Sequence, residues 1–266
     1  MFDILLPLSL MIHKRELLKE FVIREIKGRL AGTFGGVLWT VMSPLATIVA
    51  YFFVFSLVLR VSVTVKETGT NSFSFFFLTG FFPWIMFADS LAKSASVLVN
   101  EASLITKVVF PVELLPISAV IATFIVNGIG FFLVLIILAF NGFVYWTWAY
   151  LPLLIVILAF FTFGLSFFLS ALDVFLRDTS EVLNIIIMLW FFGTPVIYPY
   201  SMVPAKLLKF FYLNPMSLFV TQFRNAVLVH KIDFMSMLLL SALSLLSYAI
   251  GFWFFKKAKP AFGDVL

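Results

Sequence analysis

Three of the few charged side chains in this sequence stand in one polar stretch between two long apolar runs. The stretch reads NEASLITKVVFPVELLP from Asn100 to Pro116, and its charges are Glu101, Lys107 and Glu113. Such a long polar interruption is unusual where the other connections are short. We interpret it as a short helix and a Pro-bounded turn that contact a partner supplying energy. A long loop without such a contact remains the alternative.

Two further groups of charge lie beside apolar runs. Asp89 and Lys93 are spaced i,i+4, which places them on one helix face. They either face a wet cavity or another helix within the membrane, or lie at the end of a span, where the cost of a charge is small. Asp173 and Asp178 flank Arg177, which we interpret as a salt-bridged turn.

The sequence lacks the motifs of common catalytic sites. It contains no GxxxxGK[ST] phosphate loop, no HExxH and no GxSxG pattern. Its lack of cysteine excludes a disulfide framework and a thiolate metal site. Its histidines, His13 and His230, are predicted on opposite membrane faces. We therefore expect no enzyme, and since acidic residues do not cluster in the apolar runs, we expect no proton-driven carrier.

The composition is that of an integral membrane protein. Hydrophobic residues make up 63% of the chain and charged residues 12%, with a mean hydropathy of +1.14. Soluble domains carry about 25% charged residues. The apolar N-terminus precedes its basic cluster, which is the reverse of a cleavable signal peptide. The net charge of +5 is therefore interpreted as membrane topology and not as nucleic-acid binding.

Residues 1–30 form the first predicted unit, an amphipathic helix. Apolar side chains recur at helical spacing between Met11 and Leu30, and Lys and Arg side chains lie mostly on the other face. Such a helix lies flat on an anionic leaflet with its basic groups toward the headgroups. A solvated helix in a cytoplasmic tail is the alternative.

Residues 31–266 are predicted to form an all-α transmembrane domain with six spans. The approximate spans are 36–59, 73–96, 114–140, 148–172, 181–198 and 234–255. A span needs about 20 apolar residues. Pro195, Pro199 and Pro204 interrupt the fifth run, and because proline removes backbone donors, one helix cannot continue through lipid there. We expect two short re-entrant helices within 200–230, separated at Asn214 and Pro215.

The distribution of basic residues predicts both termini in the cytoplasm. With six spans and the N-terminus inside, about two thirds of the 18 Lys and Arg residues lie inside. Basic clusters near both termini require an even number of spans.

Aromatic residues make up 18% of the chain. Most are expected to face lipid or the protein core. Aromatic faces also stack on sugars, and the amphipathic rings nearest the predicted openings are Tyr51, Trp84, Tyr198, Tyr200 and Tyr212.

Several segments, taken in order, resemble the membrane permeases of type-2 ABC exporters of polysaccharide, the Wzm-like and TagG-like proteins. The segments are RLAGTFGGVLWTVMSP (29–44), GFFPW (80–84), NEASLITKVVFPVELLP (100–116), Arg177–Asp178, TPVIYPYSMVP (194–204), Asn214–Pro215–Met216 and Phe223–Arg224. No single segment is specific, but their order and spacing cover nearly the whole chain.

The resemblance implies the type-2 ABC exporter fold, a homodimer and two copies of a cytoplasmic ATPase subunit. ATP and Mg would be bound by that ATPase, with no cofactor in this chain. The implied location is the bacterial inner membrane, and the implied substrate is a lipid-linked polysaccharide, O-antigen above all.

The resemblance also implies roles for individual residues. Loop 97–112 corresponds to the family's coupling loop. The residues expected to contact the ATPase are Asn100, Glu101, Ser103, Leu104 and Lys107. The residues expected at the outer gate are Pro195, Pro199, Pro204, Asn214 and Pro215. Arg29 and Trp39 are expected at the cytoplasmic entrance, where Arg29 would meet the lipid diphosphate.

Other functions share part of this pattern. A type-2 ABC permease for drugs or small lipids has the same number of spans. A flippase without an ATPase would need an internal charge pathway, of which the sequence shows little. A glycosyl- or acyl-transferase would need clustered acids or a histidine motif near one interface, and Asp173 and Asp178 are the nearest approach.

Overall fold

The computed structural model describes residues 6–28, 38–59 and 63–266. Within these ranges the chain is a bundle of helices without β-strands, which confirms the all-α class. The α-helices, in chain order, are α1 (Leu6–His13), α2 (Arg15–Gly28), α3 (Trp39–Phe52), α4 (Val65–Thr68), α5 (Phe73–Ala95), α6 (Val97–Asn100), α7 (Ala102–Lys107), α8 (Leu114–Phe140), α9 (Leu151–Phe175), α10 (Thr179–Phe192), α11 (Leu208–Leu213), α12 (Pro215–Arg224), α13 (Phe234–Ala258) and α14 (Phe262–Val265).

Tighter and wider helical turns extend several of these helices. Wider π-helical turns continue α3 through Phe53–Val58 and α12 through Asn225–Val229. Tighter 3-10 turns lie at Trp146–Tyr150, Tyr200–Met202 and Lys259–Ala261.

Five helical segments in the described part of the chain are long and apolar enough to cross a bilayer. They are Val41–Val58, Phe73–Ala95, Leu114–Phe140, Trp146–Phe175 and Phe234–Val265. They lie at the positions predicted for the first, second, third, fourth and sixth spans.

The predicted fifth span, 181–198, coincides with the shorter helix α10. Its 14 residues rise about 21 Å, less than the hydrocarbon core of a bilayer, which is about 30 Å thick. The helix ends at Gly193 because glycine is a weak helix former and Pro195 disfavours helical backbone at Thr194. α10 therefore stops before the apolar run does.

Helices α9 and α13 pack against each other through backbone contact at two glycines. A β-carbon placed on Gly251 would lie 1.8 Å from the carbonyl oxygen of Gly164. One placed on Gly164 would lie 2.2 Å from the carbonyl carbon of Ser247, whose hydroxyl donates to the Phe161 carbonyl oxygen at 3.0 Å. Small residues allow this close approach, which is common between helices in membranes.

Helix α5 lies at the centre of the bundle, because it contacts α3, α8, α9, α10 and α12. Most of its side chains are buried. Its Phe73 and Phe77 rings pack with Phe55 and Tyr51 from the α3 segment. Along α10, by contrast, Leu183 is the buried side chain. Helices α3 and α10 are therefore peripheral and carry exposed apolar side chains.

The two ends of the bundle carry different elements. We call the end that holds α2, α6, α7 and α14 the α2 end, and the end that holds Trp146–Tyr150, α11 and α12 the opposite end.

The predicted amphipathic helix, 11–30, is divided at Lys14 into α1 and α2 within the described residues. α2 packs on α8 and buries Leu18, Phe21 and Val22.

Candidate functional site

The segment predicted to contact a partner, 97–112, lies at the α2 end. Its helices α6 and α7 follow α5 and lead to a turn before α8. Leu98 is fully buried at the start of the segment, and Val112 and Glu113 are buried at its end. Between them Ser103 is exposed and Val109 is wholly exposed. The segment is therefore anchored at both ends and presents its middle outward.

The five residues predicted for partner contact divide into two groups. Asn100, Ser103 and Lys107 are exposed, whereas Glu101 and Leu104 are partly buried. Leu104 packs on the apolar cluster at the α2 end. The outward face therefore consists of short polar side chains, one lysine and the two valines that follow it.

Helix α2 holds segment 97–112 by an ion pair and a ring contact. Arg24 Nη2 lies 2.7 Å from Glu101 Oε1. The Phe21 and Phe110 rings meet edge to face with centroids 5.7 Å apart. Because both side chains of the ion pair are partly exposed, we assign it about 0–1 kcal/mol. The apolar contacts therefore dominate, and the ion pair orients Glu101.

An open cleft of about 350 Å³ lies beside this ion pair and is lined by both signs of charge. Its walls are Arg24, Glu25, Gly28, Lys93 and Glu101. Asp89, one helical turn from Lys93, accepts a hydrogen bond from Asn127 Nδ2 at 3.2 Å.

Of the two residues predicted at the entrance, one is described. Arg29 lies outside the described residues. Trp39, at the start of α3, is about half exposed, at 48%.

The five predicted channel aromatics occupy different surroundings. Trp84 is buried within the bundle and packs against Phe87, Trp190 and Phe191. Tyr51 is partly buried among phenylalanines. At the opposite end, Tyr200 stacks on the exposed Tyr212 with centroids 5.6 Å apart, and the Tyr198 hydroxyl donates to the Phe192 carbonyl oxygen. In this chain, the five side chains do not come together as one lining.

Asn214 joins the end of α10 to the start of α12. Its Oδ1 accepts from Trp190 Nε1 at 2.8 Å and from the Met216 amide at 3.0 Å. Its Nδ2 donates to the Gly193 carbonyl oxygen at 2.9 Å and to Thr194 Oγ1 at 3.0 Å. Asn is a favoured N-cap, and Pro at the first helical position is favoured with it.

The four prolines predicted at the outer gate differ in their exposure. Pro195 and Pro199 are buried, Pro215 is partly buried and Pro204 is exposed. Pro195 follows Thr194, which Asn214 Nδ2 contacts, and Pro199 lines a cavity beside Arg224. The role of these residues in an outer gate stays a prediction.

Sequence reasoning missed the role of Arg224, a buried arginine at the end of α12. Its Nε donates to the Phe76 carbonyl oxygen at 3.0 Å, and its two Nη atoms donate to the carbonyl oxygens of Pro195 and Val196. The guanidinium also lies 3.6 Å from the Phe76 ring centroid and fills the space left by Gly80. The sequence shows Arg224 only as an isolated cation among apolar residues. That pattern could have indicated burial, but it could not have identified the groups that Arg224 contacts.

Asp233 caps the start of α13 outside the apolar span. Its Oδ2 accepts from the Ser236 hydroxyl at 2.6 Å, and Oδ1 accepts from the Ser236 and Met235 amides at 3.3 and 3.0 Å. These hydrogen bonds, the Ser236 hydroxyl foremost, hold the pKa of Asp233 below its usual value.

In the described ranges, no group of three or more His, Cys, Asp or Glu residues is placed to hold a metal ion.

Comparison with known proteins connects these sites to a family. Residues 16–228 match the family described as ABC-2 type transporter. The O-antigen export system permease protein RfbA of Klebsiella pneumoniae is 29% identical over 258 residues, covering 94% of this chain and 95% of that protein. The protein of the same name from Myxococcus xanthus is 32% identical over 225 residues, covering 82% of each chain.

Proposed function

Since this chain belongs to the ABC-2 type transporter family, we propose that it is the membrane subunit of an ATP-driven exporter of lipid-linked O-antigen polysaccharide. The observation that carries the proposal is the match to O-antigen export permeases over nearly the full length of both chains. The family match, over residues 16–228, also includes segment 97–112, α10, α11 and α12, and not only the apolar spans.

We propose that segment 97–112 contacts a separate cytoplasmic ATPase subunit. Its outward face, which includes Asn100, Ser103 and Lys107, is anchored at both ends by buried residues. A contact on such a segment moves its anchors, because the buried ends cannot shift independently of the bundle. ATP and Mg would be bound by the ATPase and not by this chain.

The proposed topology has six spans, with both termini in the cytoplasm of a bacterial inner-membrane protein. α10 and the turn that follows it form the fifth span, and α11 and α12 are re-entrant helices on the outer side. The α2 end is assigned to the cytoplasm because α2 and the end of α13 bring basic residues there. Residues 1–30 form the interfacial unit and residues 31–266 the transmembrane domain.

We propose that two copies of this chain, with two ATPase subunits, enclose the export path. Support comes from the peripheral helices α3 and α10, which expose many of their apolar side chains. Trp84 packs inside one subunit, so the path between two copies is a better place for a polymer than the centre of one bundle.

In the proposed cycle, ATP binding changes the distance between the two ATPase subunits and moves segment 97–112. ATP must bind one conformation more tightly than the other, since a ligand without differential affinity shifts no equilibrium. The lipid diphosphate would enter near Arg29 and Trp39, where an arginine suits phosphate recognition. The helices of the opposite end, with Asn214 at their junction, would open the outer exit.

A cysteine cross-link tests the proposed coupling, because the native chain has no cysteine. Ser103→Cys is paired with a cysteine in the docking cleft of the ATPase, in membranes that contain both subunits. We expect a disulfide whose yield changes with ATP. Ser201→Cys, exposed at the opposite end, is the matched control and should not react. An equal yield at both positions would refute the contact.

An export assay tests the substrate. Cells that lack this chain should retain lipid-linked O-antigen on the cytoplasmic side of the inner membrane, and the native chain should restore surface O-antigen. The deleted strain could instead keep its surface O-antigen and lose the efflux of a drug or a small lipid. That result would assign the chain to the type-2 ABC permeases for drugs or small lipids.

A further inference from the structure

An ion pair between a buried carboxylate and a partly exposed lysine joins the end of segment 97–112 to the C-terminal part of the chain. Lys259 Nζ lies 2.7 Å from Glu113 Oε1. Glu113 is 2% exposed and immediately precedes α8. Its other oxygen, Oε2, is buried and has no hydrogen-bond partner among the described residues. Lys259 is therefore the charge that compensates a carboxylate with little access to water.

Aromatic packing keeps Lys259 in place. Lys259 begins the 3-10 turn after α13, and the next helix, α14, starts with the buried Phe262. The Phe262 ring meets Phe255 of α13 edge to face with centroids 5.4 Å apart, and Phe255 meets Phe167 of α9 at 5.3 Å. α14 also contacts α7. The C-terminal turn is thus wedged between segment 97–112 and the α9–α13 pair.

The α9–α13 pair continues to the peripheral helix α10. The backbones of α13 and α9 are in close contact at Gly164 and Gly251, so we expect the two helices to move together. At the end of α9, Asp173 Oδ1 accepts a hydrogen bond from the Ser180 amide of α10 at 3.1 Å. A continuous set of rigid contacts therefore runs from Glu113 through Lys259, α13 and α9 to α10.

We propose that the Glu113–Lys259 ion pair is a positioning element that transmits movement of segment 97–112 to helices α13, α9 and α10. This inference rests on the proposed function, because it assumes that an ATPase moves the segment. The exposed middle of the segment does not include either residue, so docking does not need the pair. Removing Lys259 leaves Glu113 buried without a counter-charge, and the base of the segment is released from α13.

The test separates docking from transmission. The Ser103→Cys chain is assembled with its ATPase, with and without Lys259→Met, and both the cross-link and the transport per ATP hydrolysed are measured. For Lys259→Met we expect cross-linking and its response to ATP to persist, because both report the contact between the ATPase and the segment. We expect the transport per ATP to fall about fivefold or more, the lower range of allosteric coupling.

Three variants control for a general loss of structure. Lys257→Met removes a nearby lysine that contacts Trp253 instead, and should behave as the native chain. Lys259→Arg retains the charge and should restore the transport per ATP. Glu113→Gln removes the negative charge but preserves the side-chain volume, and it replaces Lys259→Met in the test if the Lys259→Met chain does not accumulate. The double variant should lose no more than either single variant, because the two groups act as one pair.

Two outcomes are distinct failures. If the Ser103→Cys chain with native Glu113 and Lys259 does not cross-link to the ATPase, the proposed coupling falls and the inference falls with it. If that chain cross-links in an ATP-sensitive way and Lys259→Met transports as much per ATP as Lys257→Met does, the inference alone is refuted.

Discussion

The contact between α9 and α13 predicts opposite effects for the same substitution at two glycines. In Gly251→Ala the new β-carbon would lie 1.8 Å from the Gly164 carbonyl oxygen, and ordinary contact begins at 3.4 Å. The two helices must therefore separate by about 1.6 Å. In Gly128→Ala of α8, the nearest atom is a Met86 methyl group at 3.7 Å, which is ordinary contact.

The magnitudes follow from the two environments. Overpacking of this kind costs about 1–3 kcal/mol. Separation also weakens the hydrogen bond from Ser247 to the Phe161 carbonyl oxygen, worth about 0.6 kcal/mol in a membrane protein. Alanine is favoured over glycine in a helix by about 1 kcal/mol. We expect Gly251→Ala to lose about 2 kcal/mol and Gly128→Ala to be neutral or slightly more stable.

Unfolding in mixed micelles provides the assay. The purified chain is titrated with sodium dodecyl sulfate while tryptophan fluorescence and circular dichroism are recorded, and the free energy of unfolding is compared among the native chain and the two variants. If Gly251→Ala is as stable as Gly128→Ala, the backbone contact is not tight and the reasoning from Gly164 is wrong.

Three further predictions concern the opposite end of the bundle. Arg224→Met leaves the carbonyl oxygens of Pro195 and Val196 without their side-chain donor, at about 1–3 kcal/mol each when buried, whereas the Phe76 oxygen keeps the Thr79 hydroxyl. We expect a loss of at least about 2 kcal/mol in the same titration, and native stability of the variant would contradict the assigned role. Asn214→Ala removes an N-cap worth about 1 kcal/mol together with the amide contact to Trp190, so we expect faster proteolysis within 193–213. Asn214→Ser keeps a capping oxygen and should be cleaved more slowly than Asn214→Ala. Equal cleavage rates of the two variants would rule out a contribution from the cap. Because hydrogen bonds lower the pKa of Asp233, its stabilising contribution is complete above its unfolded-state pKa of about 3.9 and is lost as the pH falls through the lower folded value. As the pH falls, the free energy of unfolding should decrease less in Asp233→Asn than in the native chain. An equal decrease in both would assign the acid sensitivity to other carboxylates.

The long helices were predictable because lipid imposes a simple requirement on them. A charge-free run of sufficient length has to satisfy its backbone groups internally, which requires a helix. The helix Leu114–Phe140 accordingly begins and ends where the third predicted span does. The end of α10 was less predictable, because the apolar run continues beyond Gly193 while the backbone changes direction there.

The contacts that organise the bundle could not be predicted from the sequence. Arg224 binds the Phe76 carbonyl oxygen across a sequence separation of 148 residues, and a carbonyl acceptor leaves no mark in the sequence. The contact between Gly164 and Gly251 depends on which faces of two helices meet. Glu113 was recognised as a charge of the polar stretch, but several lysines were available to pair with it, and only the path of the chain after α13 selects Lys259.

The shortness of α10 has a consequence for the membrane around the protein. α10 exposes apolar side chains over a rise of about 21 Å, which is about 9 Å less than an average hydrocarbon core. If α10 forms the fifth span as proposed, lipids that border it would have to compress their acyl chains, at a cost that grows with bilayer thickness. Shorter acyl chains would then favour the exposure of α10 to lipid, and longer chains would favour its coverage by another protein surface.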